Sequence, residues 1–134
     1  MKSKVVCITG AGRGLGRALA EAFAREGASL VLGARTTPEI DELASTLDDA
    51  LAVQTDVRSA TDCQRLVEAA VAEYGRLDVM INNAGVAVYG PVDEVNEDEV
   101  HLMVDTNLKG LIHGSIAAFK VMKVQRSGFI VNIS

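Results

Sequence analysis

The sequence predicts an α/β protein, a single doubly wound parallel sheet of five strands with helices on both faces. Three observations carry that prediction. Apolar runs of strand length alternate with longer stretches of helical periodicity from Lys4 to the last residues. The strand runs are almost continuously apolar, as strands covered on both faces must be. The first of them, Val5-Val6-Cys7-Ile8, feeds directly into a glycine-rich turn that opens a helix. Right-handed crossovers between such strands then distribute the helices over the two faces.

Taken in order, Lys4–Thr9 reads as the first strand. Gly14–Glu26 follows as a helix with an apolar stripe at Leu15, Leu19, Ala22 and Phe23, and Gly27 closes it. Ser29–Ala34 is a second strand, and Pro38–Leu47 a second helix with proline in its first turn. Ala50–Thr55 is a third strand. Ser59–Tyr74 is amphipathic through Cys63, Leu66, Val67, Ala70 and Val71 and ends at Gly75. Leu77–Ile81 is the fourth strand, a long helix runs from about Glu97 to Lys123, and Phe129–Ile133 is the fifth strand. In such a sheet, ligands bind beyond the carboxyl ends of the strands, near the point where strand order reverses. Thr9–Gly16, Gly33–Thr37, Asp56–Val57 and Asn82–Gly85 all fall at those ends. No internal repeat, linker or low-complexity tract divides the chain, so residues 1–134 form one domain.

Composition narrows the classes of partner. The chain is 49% hydrophobic, enough to bury a core, and its net charge of −5 comes without a basic stripe. That balance argues against nucleic acid and anionic membrane surfaces. No apolar stretch reaches the ~20 residues that cross a bilayer. Cys7 and Cys63 lie on different elements without metal or redox spacing, which makes the cytoplasm the expected compartment. His101 and His113 sit on the long helix with no ligand set around them and read as surface or packing residues; no metal site is expected.

The turn Thr9-Gly10-Ala11-Gly12-Arg13-Gly14-Leu15-Gly16 carries the chemistry. Glycines let the backbone turn tightly and approach a pyrophosphate, while the helix N-terminus offers unpaired N–H groups and a positive dipole end. The spacing is T-G-x-x-x-G-x-G, with Leu15 where G-x-G-x-x-G would need glycine. The end of the second strand selects between nicotinamide cofactors. A carboxylate about 20 positions after the turn would hold the ribose hydroxyls of NAD; the sequence instead reads Leu32-Gly33-Ala34-Arg35. Arg35 is suited to hold a 2′-phosphate, and Arg13 inside the turn is a second candidate. Singly, each arginine also reads as an ordinary solvated charge; together they favour NADP over NAD.

With these residues in view the chain resembles the short-chain dehydrogenase/reductase family, whose fold is the Rossmann fold. The turn at Thr9–Gly16, Asp56-Val57, Asn82-Asn83-Ala84-Gly85, Thr106-Asn107-Leu108-Lys109-Gly110 and Ile130-Val131-Asn132-Ile133-Ser134 match that family's motifs in order and spacing, over the whole chain. The resemblance implies that Gly10, Gly14, Leu15 and Gly16 wrap the pyrophosphate. It implies that Asp56 accepts from the adenine amine beside the Val57 backbone, and that Asn83, Ala84 and Gly85 line the ribose and nicotinamide side. Asn82 is expected to tie neighbouring strands through backbone bonds. Asn107 is similar to the asparagine of the family's Asn–Ser–Tyr–Lys catalytic set. Asparagine is a poor interior helix former, which itself argues that Asn107 has a purpose.

By the same resemblance, the catalytic serine would be the residue after Ser134, with the tyrosine and lysine later; neither Tyr74 nor Tyr89 has a lysine four residues on. The expectation is therefore the cofactor-binding N-terminal portion of an NADP-dependent alcohol dehydrogenase or carbonyl reductase, stopping after the fifth strand. By itself it is expected to be catalytically incomplete. Its expected partners are a small alcohol or carbonyl substrate and a second copy of itself. The alternative is a non-catalytic nucleotide-binding or dimerisation module whose long helix presents Val104, Leu108, Leu111, Ile112 and Ala118.

Overall fold

A computed structural model describes residues 1–134. Five strands, β1 (Val5–Thr9), β2 (Ser29–Ala34), β3 (Ala50–Gln54), β4 (Val79–Asn82) and β5 (Phe129–Asn132), form one sheet in the order β3-β2-β1-β4-β5. Every neighbouring pair is parallel. The order runs outward in both directions from β1, so the switch point lies between β1 and β4. At the sheet centre Cys7 is in register with Val31 on one side and Met80 on the other.

Five α-helices complete the layers: α1 (Gly14–Arg25), α2 (Thr37–Thr46), α3 (Ala60–Tyr74), α4 (Glu97–Met103) and α5 (Gly110–Gln125). Because β1 is apolar at successive positions, it feeds two cores. Val6 and Ile8 face the side holding Ala20 of α1 and Ile40 and Leu43 of α2. Val5 and Cys7 face the side holding Leu66, Val67 and Ala70 of α3 and Ala117, Ala118 and Met122 of α5. Burial pushes the Cys7 thiol well above the usual range, and the Cys63 thiol up to about 11. Both cysteines are free and buried and serve as small core residues.

Capping sets several helix ends. Ser59 accepts from the Asp62 N–H at the start of α3, and Gly75 closes that helix in the left-handed conformation at φ +76°. Asn96 and Glu99 form a reciprocal capping box before α4. At the N-terminal edge of the sheet Asp78 accepts from the Val5 N–H at 2.9 Å and pairs with Arg76 and Lys4. Burial raises the Asp78 carboxyl, but the Arg76 and Val5 hydrogen bonds outweigh it and leave the group below the usual carboxylate range.

Two expectations need correction. The long helix from Glu97 is not regular: Val104–Lys109 is a π-helical turn between α4 and α5. The extra residue per turn swings Asn107 away from the register that a uniform helix would give it. Ala118, expected on an exposed association face, is fully buried against α3 and the sheet. The exposed apolar row is instead Val104, Leu108, Ile112, Ile116 and Phe119, which recurs at helical spacing. No helix is long and apolar enough to cross a membrane.

Candidate functional site

The carboxyl ends of β1, β2, β3 and β4 open into one cleft of about 250 Å³. The chains leaving β1 and β4 must part there to reach helices on opposite faces, so the backbone ladder cannot continue between them. Side chains replace it. Thr9 Oγ1 accepts from the N–H groups of Asn83 (3.0 Å) and Ala84 (3.1 Å). In return Asn83 Nδ2 donates to the carbonyls of Thr9 (3.1 Å) and Gly10 (3.2 Å). The Ala11 N–H reaches across to the Gly33 carbonyl of β2 at 3.2 Å. The floor of the cleft is thus stitched to three strands.

This closeness explains two of the glycines. Gly10 has φ +65°, and a β-carbon on it would meet Ala84 Cα at 2.8 Å. Gly16 lies in the first turn of α1, where a β-carbon would overlap the Gly10 carbonyl oxygen and reach 2.6 Å from Asn83 Nδ2. No side chain caps α1 at Arg13, so the leading N–H groups of that helix remain available to an anion. Gly14, Leu15 and Gly16 form that first turn without lining the cleft, and the Leu15 side chain points to solvent.

Gly10, Arg13, Arg35, Asp56, Val57, Asn83, Ala84 and Gly85, singled out in the sequence, all line the cleft. Arg13 and Arg35 are exposed at its rim and take part in no ion pair, whereas nearby Arg17 is held by Glu21 and Glu42. Asp56 is engaged by a neighbour: Arg58 grips its carboxylate through Nε (3.0 Å) and Nη2 (2.7 Å), and the Arg58 N–H donates to it as well. The Arg58 hydrogen bonds hold the Asp56 carboxyl below its usual range. The Asp56 N–H donates to Asp62 Oδ2 at 2.9 Å, which anchors the segment to the start of α3. Val57 is pinned from the other side, where His113 Nδ1 donates to its carbonyl at 2.8 Å.

Asn82 ends β4 and Asn83 follows it, and their side chains tie different neighbours. Asn82 makes no side-chain bond to a neighbouring backbone; its Nδ2 donates to Ser115 Oγ (3.1 Å) and Asn132 Oδ1 (2.9 Å), joining β4 to α5 and β5. Asn83 is the residue that holds backbone carbonyls. Asn107, carried by the π-helical turn, clamps one residue of the segment after β4: its Oδ1 accepts from the Val86 N–H and its Nδ2 donates to the Val86 carbonyl, both at 2.8 Å. A regular helix would satisfy its own backbone but aim this amide elsewhere, which gives the π turn a physical purpose.

The sequence reading gave no individual role to Gly12, Thr36, Glu39, Thr55 and Thr106, all of which line the cleft. A signal existed for Thr36 and Glu39, because the pairing of β1 with β2 brings the turn after β2 against the glycine turn. Thr106 precedes Asn107, and its hydroxyl is buried with no partner. Tyr74 is excluded from the cleft: its hydroxyl donates to Asp49, just before β3, at the opposite end of the sheet. Tyr89 is almost wholly exposed.

Comparison with known proteins gives this geometry a context. The family model for short chain dehydrogenases matches residues 4–134. An uncharacterized oxidoreductase of Listeria monocytogenes is 37% identical over 138 aligned positions, covering all of this chain and 56% of that protein. One from Staphylococcus saprophyticus is 36% identical, with 55% of its length covered. Among solved structures, a Sinorhizobium meliloti protein assigned as a short-chain alcohol dehydrogenase superposes with a TM-score of 0.90 at 34% identity, over 98% of this chain and 54% of that one. An alcohol dehydrogenase from the archaeon Thermococcus sibiricus, complexed with 5-hydroxy-NADP, gives 0.89 at 32% identity over 96% and 57%. The chain therefore spans little more than half the length of these relatives.

Proposed function

Since this chain belongs to the short-chain dehydrogenase family, matched from residue 4 to residue 134, we propose that it forms the dinucleotide site of an oxidoreductase acting between NADP(H) and an alcohol or carbonyl compound. One observation carries the cofactor: two unpaired guanidinium groups, Arg13 and Arg35, rim a switch-point cleft whose second strand ends in Ala34 rather than a carboxylate. The residues present fit such a ligand. The helix α1 begins beside the cleft with uncapped N–H groups, the donor set a pyrophosphate needs.

In this reading the N–H groups of Gly14, Leu15 and Gly16 bind the pyrophosphate, and Arg13 and Arg35 hold the 2′-phosphate. Asp56 orients the adenine amine through an oxygen it shares with Arg58, beside the Val57 backbone. Asn83, Ala84 and Gly85 border the ribose and nicotinamide side, with Thr106 Oγ1 an unspent donor on the same wall. The cofactor, when bound, supplies the hydride; the protein's part is orientation, exclusion of water and management of a proton. Asn107 holds the Val86 segment against the cleft and so positions the wall nearest the reacting end. Tyr74 and Tyr89 do not supply the proton in this reading, since one is committed to Asp49 and the other stands in solvent.

Parallel fluorescence titrations with NADPH and NADH test the assignment. Arg35→Ala weakens NADPH about tenfold, the effect of losing one charge-assisted contact at an exposed rim, and leaves NADH nearly unchanged. Equal affinity of the wild-type protein for the two nucleotides, or undiminished NADPH binding by the variant, would overturn it.

A further inference from the structure

One acidic side chain enters the cleft from α2, an element that otherwise serves packing. Glu39 lies in the first turn of that helix and lines the same cleft as Arg13 and Arg35. A β-carbon built on Gly12 would fall 2.6 Å from Glu39 Oε2 and 3.0 Å from Glu39 Cβ, so the carboxylate rests directly over the glycine turn. Gly12 is buried beneath it. Glu39 nonetheless makes no ion pair with either rim arginine, although Glu42, one turn on, reaches Arg17 at 2.9 Å.

An acidic residue in the first turn of a helix is ordinarily explained by the dipole, a modest and screened effect. That account places no demand on where the carboxylate points. Here it lies against Gly12 of the glycine turn and lines the same cleft as the two arginines that would bind a phosphate. A carboxylate accepts hydrogen bonds and cannot donate them, so it suits a ribose hydroxyl and opposes a phosphate dianion.

We infer that Glu39 is a specificity-determining residue for the adenosine ribose: its carboxylate accepts from an unphosphorylated 2′-hydroxyl and repels a 2′-phosphate, tempering the preference set by Arg13 and Arg35. The inference rests on the reading of the cleft as a dinucleotide site. Its consequence is a protein that binds NADH measurably as well as NADPH, with the ratio adjusted from α2 as well as from the end of β2.

The test uses the whole chain and two probes, NADPH and NADH, titrated separately by fluorescence. Glu39→Gln keeps the packing on Gly12 and removes the charge. The ratio of NADPH to NADH affinity rises about fivefold or more, as removal of one unit charge at close range in a partly solvated cleft requires. Glu39→Ser, which removes charge and packing together, moves the ratio in the same direction. A ratio unchanged within about twofold in both variants overturns the inference, including the case where the two affinities fall together, the signature of a merely structural residue. Wild-type protein that binds neither nucleotide overturns the dinucleotide reading itself, and the inference with it.

Discussion

Alanine at Gly16 tests how tightly the cleft floor is built. The added β-carbon overlaps the Gly10 carbonyl oxygen and comes within 2.6 Å of Asn83 Nδ2 and 2.8 Å of the Gly10 carbonyl carbon. One neighbour is backbone and the other is held by two carbonyls, so neither moves freely. Overpacking of this kind costs roughly 1–3 kcal/mol. Loosening the two Asn83 bonds adds roughly 1 kcal/mol each, and the better helix propensity of alanine offsets roughly 1 kcal/mol. The net loss is roughly 2–4 kcal/mol, or a fall of about 1–2 M in the urea midpoint. Gly14 provides the control. It sits two residues earlier at φ +57° with nothing within 4 Å of a β-carbon, so alanine there meets only the left-handed backbone cost of roughly 1–2 kcal/mol. Urea unfolding followed by circular dichroism ranks the two variants. If Gly16→Ala destabilises no more than Gly14→Ala, the clash with Gly10 and Asn83 is not what fixes glycine there.

Two further outcomes come from hydrogen bonds outside the glycine turn. Asp78→Ala strands the buried Val5 N–H and removes the acceptor of Arg76, for a loss of roughly 1–3 kcal/mol in urea unfolding at neutral pH. Because the folded Asp78 carboxyl titrates below its unfolded value near 4, its contribution is whole above that value and fades as pH falls through the lower folded one; the wild-type advantage over the variant therefore shrinks on acidification, and a constant gap from neutral to strongly acid pH would contradict the assignment. Asn107→Ala leaves global stability within about 1 kcal/mol, since water can reach the exposed Val86 backbone, but amide exchange at Val86 accelerates at least about tenfold as that segment opens locally. Unchanged protection at Val86 would show that the clamp is not what holds it.

The sheet was legible because its signal is one of period and composition. Residues buried on both faces must be apolar in succession, and Val5–Ile8, Leu30–Leu32 and Val79–Ile81 obey that rule. The alternation of strand and helix, which makes the sheet parallel, made the convergence of the strands' carboxyl ends legible too. What did not show in the sequence were features decided by side-chain reach. Asn82 and Asn83 are the same residue type side by side, and pleating sends them to opposite faces. One then meets Ser115 and Asn132 while the other meets the glycine turn. The π-helical turn was hidden because its residues, Val104–Lys109, carry ordinary helical periodicity; only the pairing of Asn107 with Val86 reveals why the register slips. Arg58 and Glu39 were invisible as residues of the site because a charge near a helix start looks the same whether it faces solvent or a ligand.

These differences divide the cleft into two parts with separate physical duties. The floor is fixed by Thr9, Asn83 and the close approach of Gly10 and Gly16, groups that belong to the sheet's own hydrogen bonding. Substitutions there lower stability, and in the dinucleotide reading they weaken both nucleotides alike, because every dinucleotide presents the same pyrophosphate to that floor. The rim is made of Arg13, Arg35 and Glu39, whose side chains take part in no ion pair. Substitutions there leave the sheet intact and act on the one group that distinguishes the two nucleotides. In that reading the fold keeps its glycines unchanged while the balance of charge at three rim positions sets the cofactor preference.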